Sequence, residues 1–447
     1  MATPPVSAAP AAPVVTMFGE FGIGNLGNEA TLSEALRRVS VTMPQAAVKV
    51  LCYDAERTLT AHRGEHPRLT TESVLKVERP DAPHASRFLP ARLGRLVSRF
   101  GDMGRTIRGT RGAAIVIIPG TGILEELWVG SWGVPALLLA LVVGAWIHHA
   151  PVAIVSVGVD VPQRFLTAKF FSVVVRRASL RTFRDTHSVA AAQTLLGGRW
   201  SAGHAPRLTP DIVLGAPVTA VRTTPARLCL ALGVMRYYGA SDDVDEGAAI
   251  HTTYVDAITT FASGVLARGW DLKIFGGDDS DLPVVRDVEE RLTRWLSTGS
   301  IALAPRVTIV EARTMTEVDE LIGSSSAVVA TRYHNIVSAI RLNRPVISVS
   351  YGNKGHALMQ QVGMGSYCQW VESLDAQLLD KQFQQVIDES SAVEANLADC
   401  METFKEQSAA VWQDVAALSP ALRHGDHSLT MTGLPARPSH SEGKKNS

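Results

Sequence analysis

Several function classes leave a plain mark on a sequence, and this one lacks most of those marks. Only four of its 447 residues are cysteine, Cys52, Cys229, Cys368 and Cys400, and they lie far apart. No CxxC pair or Cys/His cluster exists, so neither a disulfide framework nor a zinc site of ordinary spacing is supported, and no metal is expected. Reduced thiols in a cytoplasmic protein are the simple expectation. Net charge is missing too, with 43 Lys and Arg against 43 Asp and Glu. A general nucleic-acid binder wants a basic excess, so no nucleic-acid partner is expected. No basic segment followed by an apolar one opens the chain. Residues 1–13, MATPPVSAAPAAP, read as a disordered Ala/Pro lead-in rather than a secretory signal. The polar, unpatterned tail 423–447 reads as disordered as well.

A long continuous apolar run is also lacking. From Trp128 to Val159 there is no Asp, Glu, Lys or Arg. A spanning helix needs about 20 continuous apolar residues, whereas the run from Val134 to Ile147 stops at His148-His149-Ala150-Pro151. The β-branched VAIVSVGV follows. This pattern predicts a buried helix, a turn and a central parallel strand.

What the chain does have is 46% hydrophobic residues, enough for a large core, and a regular alternation of short apolar runs with helical stretches. Strands are expected at Val14–Phe18, Val48–Tyr53, Ala113–Ile118, Val152–Val157 and Ile212–Leu214, with helices such as Asn28–Val39 and Pro135–Ile147 between them. A second set is expected at Leu228–Gly233, Leu272–Phe275, Val307–Val310, Val328–Ala330 and Val346–Val349. Alternating strands and helices predict parallel sheets covered on both faces. The fold class is therefore α/β, with two doubly wound, Rossmann-like domains facing a cleft. The first spans 14–215, the segment 216–226 is a linker, and the second spans 227–422. A late helix, Glu394–Leu418, has no strand after it and is expected to pack back across the junction.

Two glycine turns are candidates for anion binding. After the first strand comes GEFGIGNLGNEATL, in which Gly22, Gly24 and Gly27 match G-x-G-x-x-G ahead of a helix. Asp54, at the end of the second strand, stands where a ribose-binding acid would. An NAD(P)-dependent oxidoreductase is thus one alternative, with a tight turn that binds nothing as another. Asn25 and Asn28 add side-chain donors and acceptors, and Asn28 is placed to cap the helix. The second turn, PGTGILEE (Pro119–Glu126), sets Thr121 and Gly122 at the carboxyl end of a strand, where ligands of open α/β sheets bind.

The most informative segment runs from Ser324 to Met364. One strand leads into Thr331-Arg332-Tyr333-His334 and the next into Ser350-Tyr351-Gly352-Asn353-Lys354. Neighbouring parallel strands would bring Arg332, His334 and Lys354 to one site, with Tyr351 beside them. An Arg fork suits a carboxylate or phosphate, Lys adds a point charge, and His can move a proton near neutral pH. Arg236, in LGVMR, would supply a further anion contact. The set suits a multiply anionic small substrate undergoing acid–base chemistry.

These residues carry a resemblance. GIGNLGNEATL, the PGTG turn, RTFRDTHS (Arg181–Ser188), TPDIVL (Thr209–Leu214), LGVMR and, most specifically, TRYHNIVSAIRLNRPVISVSYGNK resemble the polysaccharide pyruvyl transferase family. The resemblance implies a fold like two-domain GT-B glycosyltransferases. It also implies transfer of a pyruvyl group from phosphoenolpyruvate to a sugar hydroxyl of a cell-surface glycan or its lipid-linked precursor, mostly as a ketal, without a cofactor. By that resemblance Arg332 and His334 match the family's Arg-x-His donor motif and Lys354 its later lysine. Many members have Gly-Asp where this chain has Gly27-Asn28. Arg332, Lys354, Arg236 and Tyr351 would hold the donor, and His334 would serve as general acid and base. Gly24, Asn25, Gly27, Asn28, Thr121 and Gly122 would face the acceptor or an anion. A nucleotide-sugar glycosyltransferase of the same architecture is the remaining alternative.

A basic stretch completes the reading. Arg87, Arg92, Arg95, Arg99, Arg105, Arg108 and Arg111 face one acid, Asp102, while Leu89, Leu93, Leu96 and Phe100 share a helical face. Such a helix, spanning Arg87–Arg111, suits peripheral contact with the inner face of a membrane as well as ordinary packing.

Overall fold

A computed structural model describes residues 12–74, 91–125, 130–201, 203–239, 244–298 and 305–422, with the side chains of the helix beginning at Ala91 described from Ser98 onward. The expectations for 1–11, for the tail 423–447, and for Arg87, Leu89, Arg92, Leu93, Arg95 and Leu96 lie outside the described residues.

The first half is a parallel sheet of seven strands: β1 (Val14–Phe18), β2 (Ala47–Cys52), β3 (Leu69–Ser73), β4 (Ala113–Pro119), β5 (Val152–Val157), β6 (Leu180–Phe183) and β7 (Arg207–Leu208). Their order is β3-β2-β1-β4-β5-β6-β7. Its helices are α1 (Leu26–Thr42), α2 (Ala55–His62), α3 (Ala91–Gly109), α4 (Val134–Ile147), α5 (Phe165–Arg177) and α6 (Thr186–Leu196). The second half is a parallel sheet of six strands: β8 (Cys229–Gly233), β9 (Asp271–Phe275), β10 (Val307–Ile309), β11 (Ala327–Ala330), β12 (Val346–Ser350) and β13 (Cys368–Trp370). Their order is β10-β9-β8-β11-β12-β13. Its helices are α7 (Val244–Ala267), α8 (Leu282–Thr298), α9 (Met315–Gly323), α10 (Tyr333–Arg341), α11 (Asn353–Gln361), α12 (Ala376–Asp388) and α13 (Ser390–Ala417). Two doubly wound sheets are thus what the alternation predicted.

Central strands are the most apolar ones. β4 and β5 are buried along almost their whole length, because helices cover both faces. α4 is buried along most of its length and ends before His148; among the described residues no helix is long and apolar enough to cross a membrane. One expectation needs correction. Ile212–Leu214 is a 3-10 turn, Ile212–Gly215, not a strand. Asp211 accepts a hydrogen bond from the Val213 N–H (2.9 Å), and such a local side-chain bond competes with strand pairing.

The late helix α13 reaches the first half. Arg38 of α1 donates to the Gly215 carbonyl (2.9 Å) and to Ser408 of α13 (3.2 Å), and Arg207 pairs with Asp414 (2.7 Å). One apolar core runs from β1 and α1 through Ile212–Leu214 to Val411, Trp412 and Val415 and on into the second sheet. The connecting stretch 216–226 has no helix or strand. It is strapped down by Arg341 to the Pro217 carbonyl and Arg344 to the Thr223 carbonyl.

Candidate active site at the junction of the two sheets

The carboxyl ends of β11 and β12, paired in register, each lead directly into a helix. Neither α10 nor α11 has a side-chain cap at its N-terminus, where Arg332 and Gly352 stand. Uncapped N–H groups and the helix dipole favour an anion at such ends. Arg332, His334, Tyr351 and Lys354 therefore line one cleft, as the strand order predicts. The cleft holds about 470 Å³ of empty space, part of it open to solvent.

Its cations are not bare. Arg332 forks onto Asp281, Nε to Oδ2 at 2.9 Å and Nη2 to Oδ1 at 2.6 Å. Asp281 is fully buried and also accepts from the backbone N–H groups of Gly277 and Arg236, each at 3.0 Å. Arg236 thus serves the site through its backbone. Its guanidinium is exposed, lies over the Tyr238 ring 5.4 Å from the centroid, and is not among the side chains that line the cleft. Asp281 carries no motif in the sequence. Only the approach of the loop after β9 to Arg332 gives it a role.

Lys354 leads to a buried network that spans both halves. Its Nζ donates to Glu125 Oε2 (3.2 Å), and Arg184 Nη2 donates to Glu125 Oε1 (2.8 Å). The Arg184 guanidinium also lies near Asp211 (3.6 Å) and Asp185 (3.7 Å) and over the ring of Tyr333, 4.6 Å from its centroid. Burial opposes charge on Lys354, but Glu125 and Tyr351 hold its pKa above the ordinary lysine value. Burial likewise opposes charge on Glu125, and Lys354 and Arg184 outweigh it, keeping the pKa below the usual carboxylate range. Glu125 belongs to PGTGILEE, Arg184 and Asp185 to RTFRDTHS and Asp211 to TPDIVL. Those motifs point to the site, but the individual charged residues in them become legible only in three dimensions.

His334 is largely enclosed, and its buried Nε2 has no hydrogen-bond partner among the described residues. Burial first, then the charges of Arg184, Lys354 and Arg341, lower its pKa to about 4 against the opposing pull of Asp211. The imidazole is therefore neutral at pH 7. Its ring lies against Gly27 so closely that a Cβ there would overlap it.

This contact revises the reading of the first glycine turn. Gly22 (φ 82°) and Gly24 (φ 91°) have the left-handed backbone that favours glycine. A Cβ at Gly22 would meet the Asp54 carbonyl, and one at Gly24 would meet the Asp279 carboxylate. The space at all three glycines is taken by protein atoms, from the first half at Gly22 and from the second at Gly24 and Gly27, so the turn is a packed junction rather than a dinucleotide cradle. Asp54 is occupied as the N-cap of α2, accepting from Arg57 N–H at 3.0 Å. Asn25, not Asn28, caps α1, accepting from the Asn28 N–H at 3.1 Å. Asn28 instead donates to the Glu20 carbonyl (3.0 Å). Asn25, Gly27, Asn28 and Gly122 line the cleft, whereas Gly24 and Thr121 do not. Thr121 lies beneath, buried in the left-handed region (φ 61°). Among the described residues no cluster of His, Cys, Asp or Glu is arranged to hold a metal.

The family model for polysaccharide pyruvyl transferase matches residues 25–353. The chain belongs to the polysaccharide pyruvyl transferase family. The matched stretch of this pyruvyl transferase family member contains Gly27 of the first glycine turn, the whole second turn, Arg184, Arg332 and His334, and ends one residue before Lys354. Solved structures show the same GT-B-type fold at low identity. S. aureus MnaA, solved with UDP, is 10% identical with a TM-score of 0.57, over 90% of this chain and 96% of that one. The UDP-GlcNAc 2-epimerase from Neisseria meningitidis is 11% identical with a TM-score of 0.52, over 91% and 100%. A UDP-glucosyltransferase from Polygonum tinctorium is 10% identical with a TM-score of 0.54, over 92% and 99%. No curated protein matches by sequence.

Proposed function

We propose that this transferase moves a pyruvyl group from phosphoenolpyruvate to a sugar of a cell-envelope glycan, or of its lipid-linked precursor, in the cytoplasm. The reading puts the donor on the side of residues 227–422 and the acceptor on the side of 14–215. The observation that carries it is the meeting of two uncapped helix N-termini with Arg332, Lys354 and Arg184 in one cleft. Phosphoenolpyruvate carries a carboxylate and a phosphate, which match that set. The donor would compete with Glu125 for Lys354 and Arg184, while Asp281 keeps Arg332 oriented and Tyr351 borders the pocket. Asn28 and Gly122 then face the acceptor.

His334 starts neutral. An anionic donor beside it offsets Arg184 and Lys354 and so favours the imidazolium. Proton transfer to the methylene carbon generates an oxocarbenium-like centre at C2. A sugar hydroxyl attacks that carbon, and the neutral imidazole takes up the hydroxyl proton. The C2–O bond to phosphate breaks, and a second sugar hydroxyl attacks C2 to close the ketal while its proton leaves with the departing phosphate. Thermal unfolding tests the donor assignment: phosphoenolpyruvate should raise Tm, and Lys354→Ala should remove that rise. The second reading, a nucleotide-sugar glycosyltransferase, draws on the UDP in the solved S. aureus neighbour. It predicts stabilisation by UDP and none by phosphoenolpyruvate.

A further inference from the structure

Helix α5 carries two apolar stripes, and its sheet-packing accounts for only one. Thr167, Phe171, Val174 and Val175 are buried against the sheet. Phe165 is 75% exposed, and Leu166 and Val173 also face outward. A helix with one partner needs one apolar stripe. The second stripe continues onto neighbouring elements. Trp132 packs edge-on between Phe100 of α3 and Phe170 of α5, with ring centroids 6.0 and 5.9 Å apart, yet Phe100 and Trp132 remain exposed. Trp146, at the end of α4, is 60% exposed.

Cations sit among these rings. Lys169 lies over Phe165 at 5.2 Å and Arg177 over Trp146 at 5.3 Å. Acids are absent from the sequence between Asp102 and Glu125 and between Asp160 and Asp185, the stretches that hold α5 and the C-terminal part of α3. The start of α5 follows the carboxyl end of β5, on the same sheet edge as Gly122, Glu125 and Arg184.

We infer that the outer face of α5, with Phe100 of α3, Trp132 and the exposed end of α4, is a docking surface for an anionic lipid bilayer. Exposed aromatic and aliphatic side chains enter the headgroup boundary, and the surrounding Lys and Arg meet the lipid charge. Among the described residues no helix is long and apolar enough to span, so the proposed contact lies in the plane of the membrane. The inference deepens the reading of a lipid-linked acceptor, because it sets the cleft edge beside the bilayer. It relocates the expected membrane contact from the arginine-rich helix alone to a face centred on α5.

Vesicle co-sedimentation tests it without turnover, so it can fail while the pyruvyl transferase reading stands. The full chain should pellet with phosphatidylcholine vesicles containing phosphatidylglycerol, less so with phosphatidylcholine alone, and less again as salt rises. The double variant Phe165→Glu, Lys169→Glu should bind roughly tenfold more weakly with an unchanged Tm. Val221→Glu, at an equally exposed apolar position on the connecting segment, should bind as the parent does. Absence of binding by the parent would overturn the inference, as would full binding by the double variant. Light scattering without lipid supplies the last arm: a dimer that the double variant converts to monomer would make this face a contact between copies and overturn it too.

Discussion

His334 and Gly27 form the residue pair on which the site closes, and each makes a separate demand. Replacing Gly27 with Ala forces a Cβ into the imidazole. Such overpacking costs about 1–3 kcal/mol. A lowered urea midpoint together with lost turnover is expected, whereas Asn25→Ala should lose only about 1 kcal/mol of helix capping. His334→Gln keeps a ring-sized polar side chain but cannot shuttle a proton. Its kcat should fall by about 10²–10⁴, with the KM for phosphoenolpyruvate little changed. Because the pKa of His334 is held down to about 4, binding an anionic donor raises it, and the protein should take up protons on binding. Calorimetry in two buffers of different ionisation enthalpy measures that uptake. Identical heats in both buffers would contradict it.

At the scale of elements, α1 and α2 are joined by a buried charge. His62 lies between Glu29 (2.9 Å) and Glu65 (3.1 Å) and is 3% exposed. Burial works against its charge, but the hydrogen bonds to Glu29 and Glu65 outweigh it and raise the pKa from 6.5 to about 9. Since the folded pKa is the raised one, this contribution to stability is complete below about pH 6.5 and is lost as pH rises toward 9. Denaturant midpoints should decline across that window in the parent and decline less in His62→Gln. Glu29 also accepts from the Gly22 N–H at 2.7 Å, so the same window should loosen the glycine turn. Elements also show what a sequence can and cannot reveal. The apolar strands β1, β4, β5, β11 and β12 were legible because burial on both faces leaves continuous hydrophobic runs. The edge strand β3, LTTES, has no such run, and β7 and β13 are two and three residues long. β6 lies inside a polar motif, RTFRDTHS. Arg332, His334 and Lys354 were legible from strand order, whereas the carboxylates Asp281, Glu125, Asp185 and Asp211 around them come from distant loops.

The two halves of the molecule are joined through the candidate site. The Lys354–Glu125 bond links α11 of the second half to the turn after β4 in the first, and His334 of the second half seats on Gly27 of the first. Removing Glu125 leaves the buried Arg184 and the half-buried Lys354 short of a counter-charge, which is destabilising. Glu125→Gln should therefore lower Tm without ligand, yet show a larger rise on adding phosphoenolpyruvate than the parent does. An equal or smaller rise would mean that the donor does not meet Lys354 and Arg184. The neutral total charge hides this placement: Arg332, Lys354 and Arg184 at the cleft are each held by carboxylates, so the proposed anionic donor would enter by exchange. The most direct test of pyruvyl transfer is phosphate release from phosphoenolpyruvate across a panel of envelope glycans, with mass spectrometry of each sugar product. The account predicts one phosphate released per pyruvyl ketal gained, lost in His334→Gln. Release of a nucleoside diphosphate from a nucleotide sugar, with no phosphate from phosphoenolpyruvate on any glycan, would contradict it.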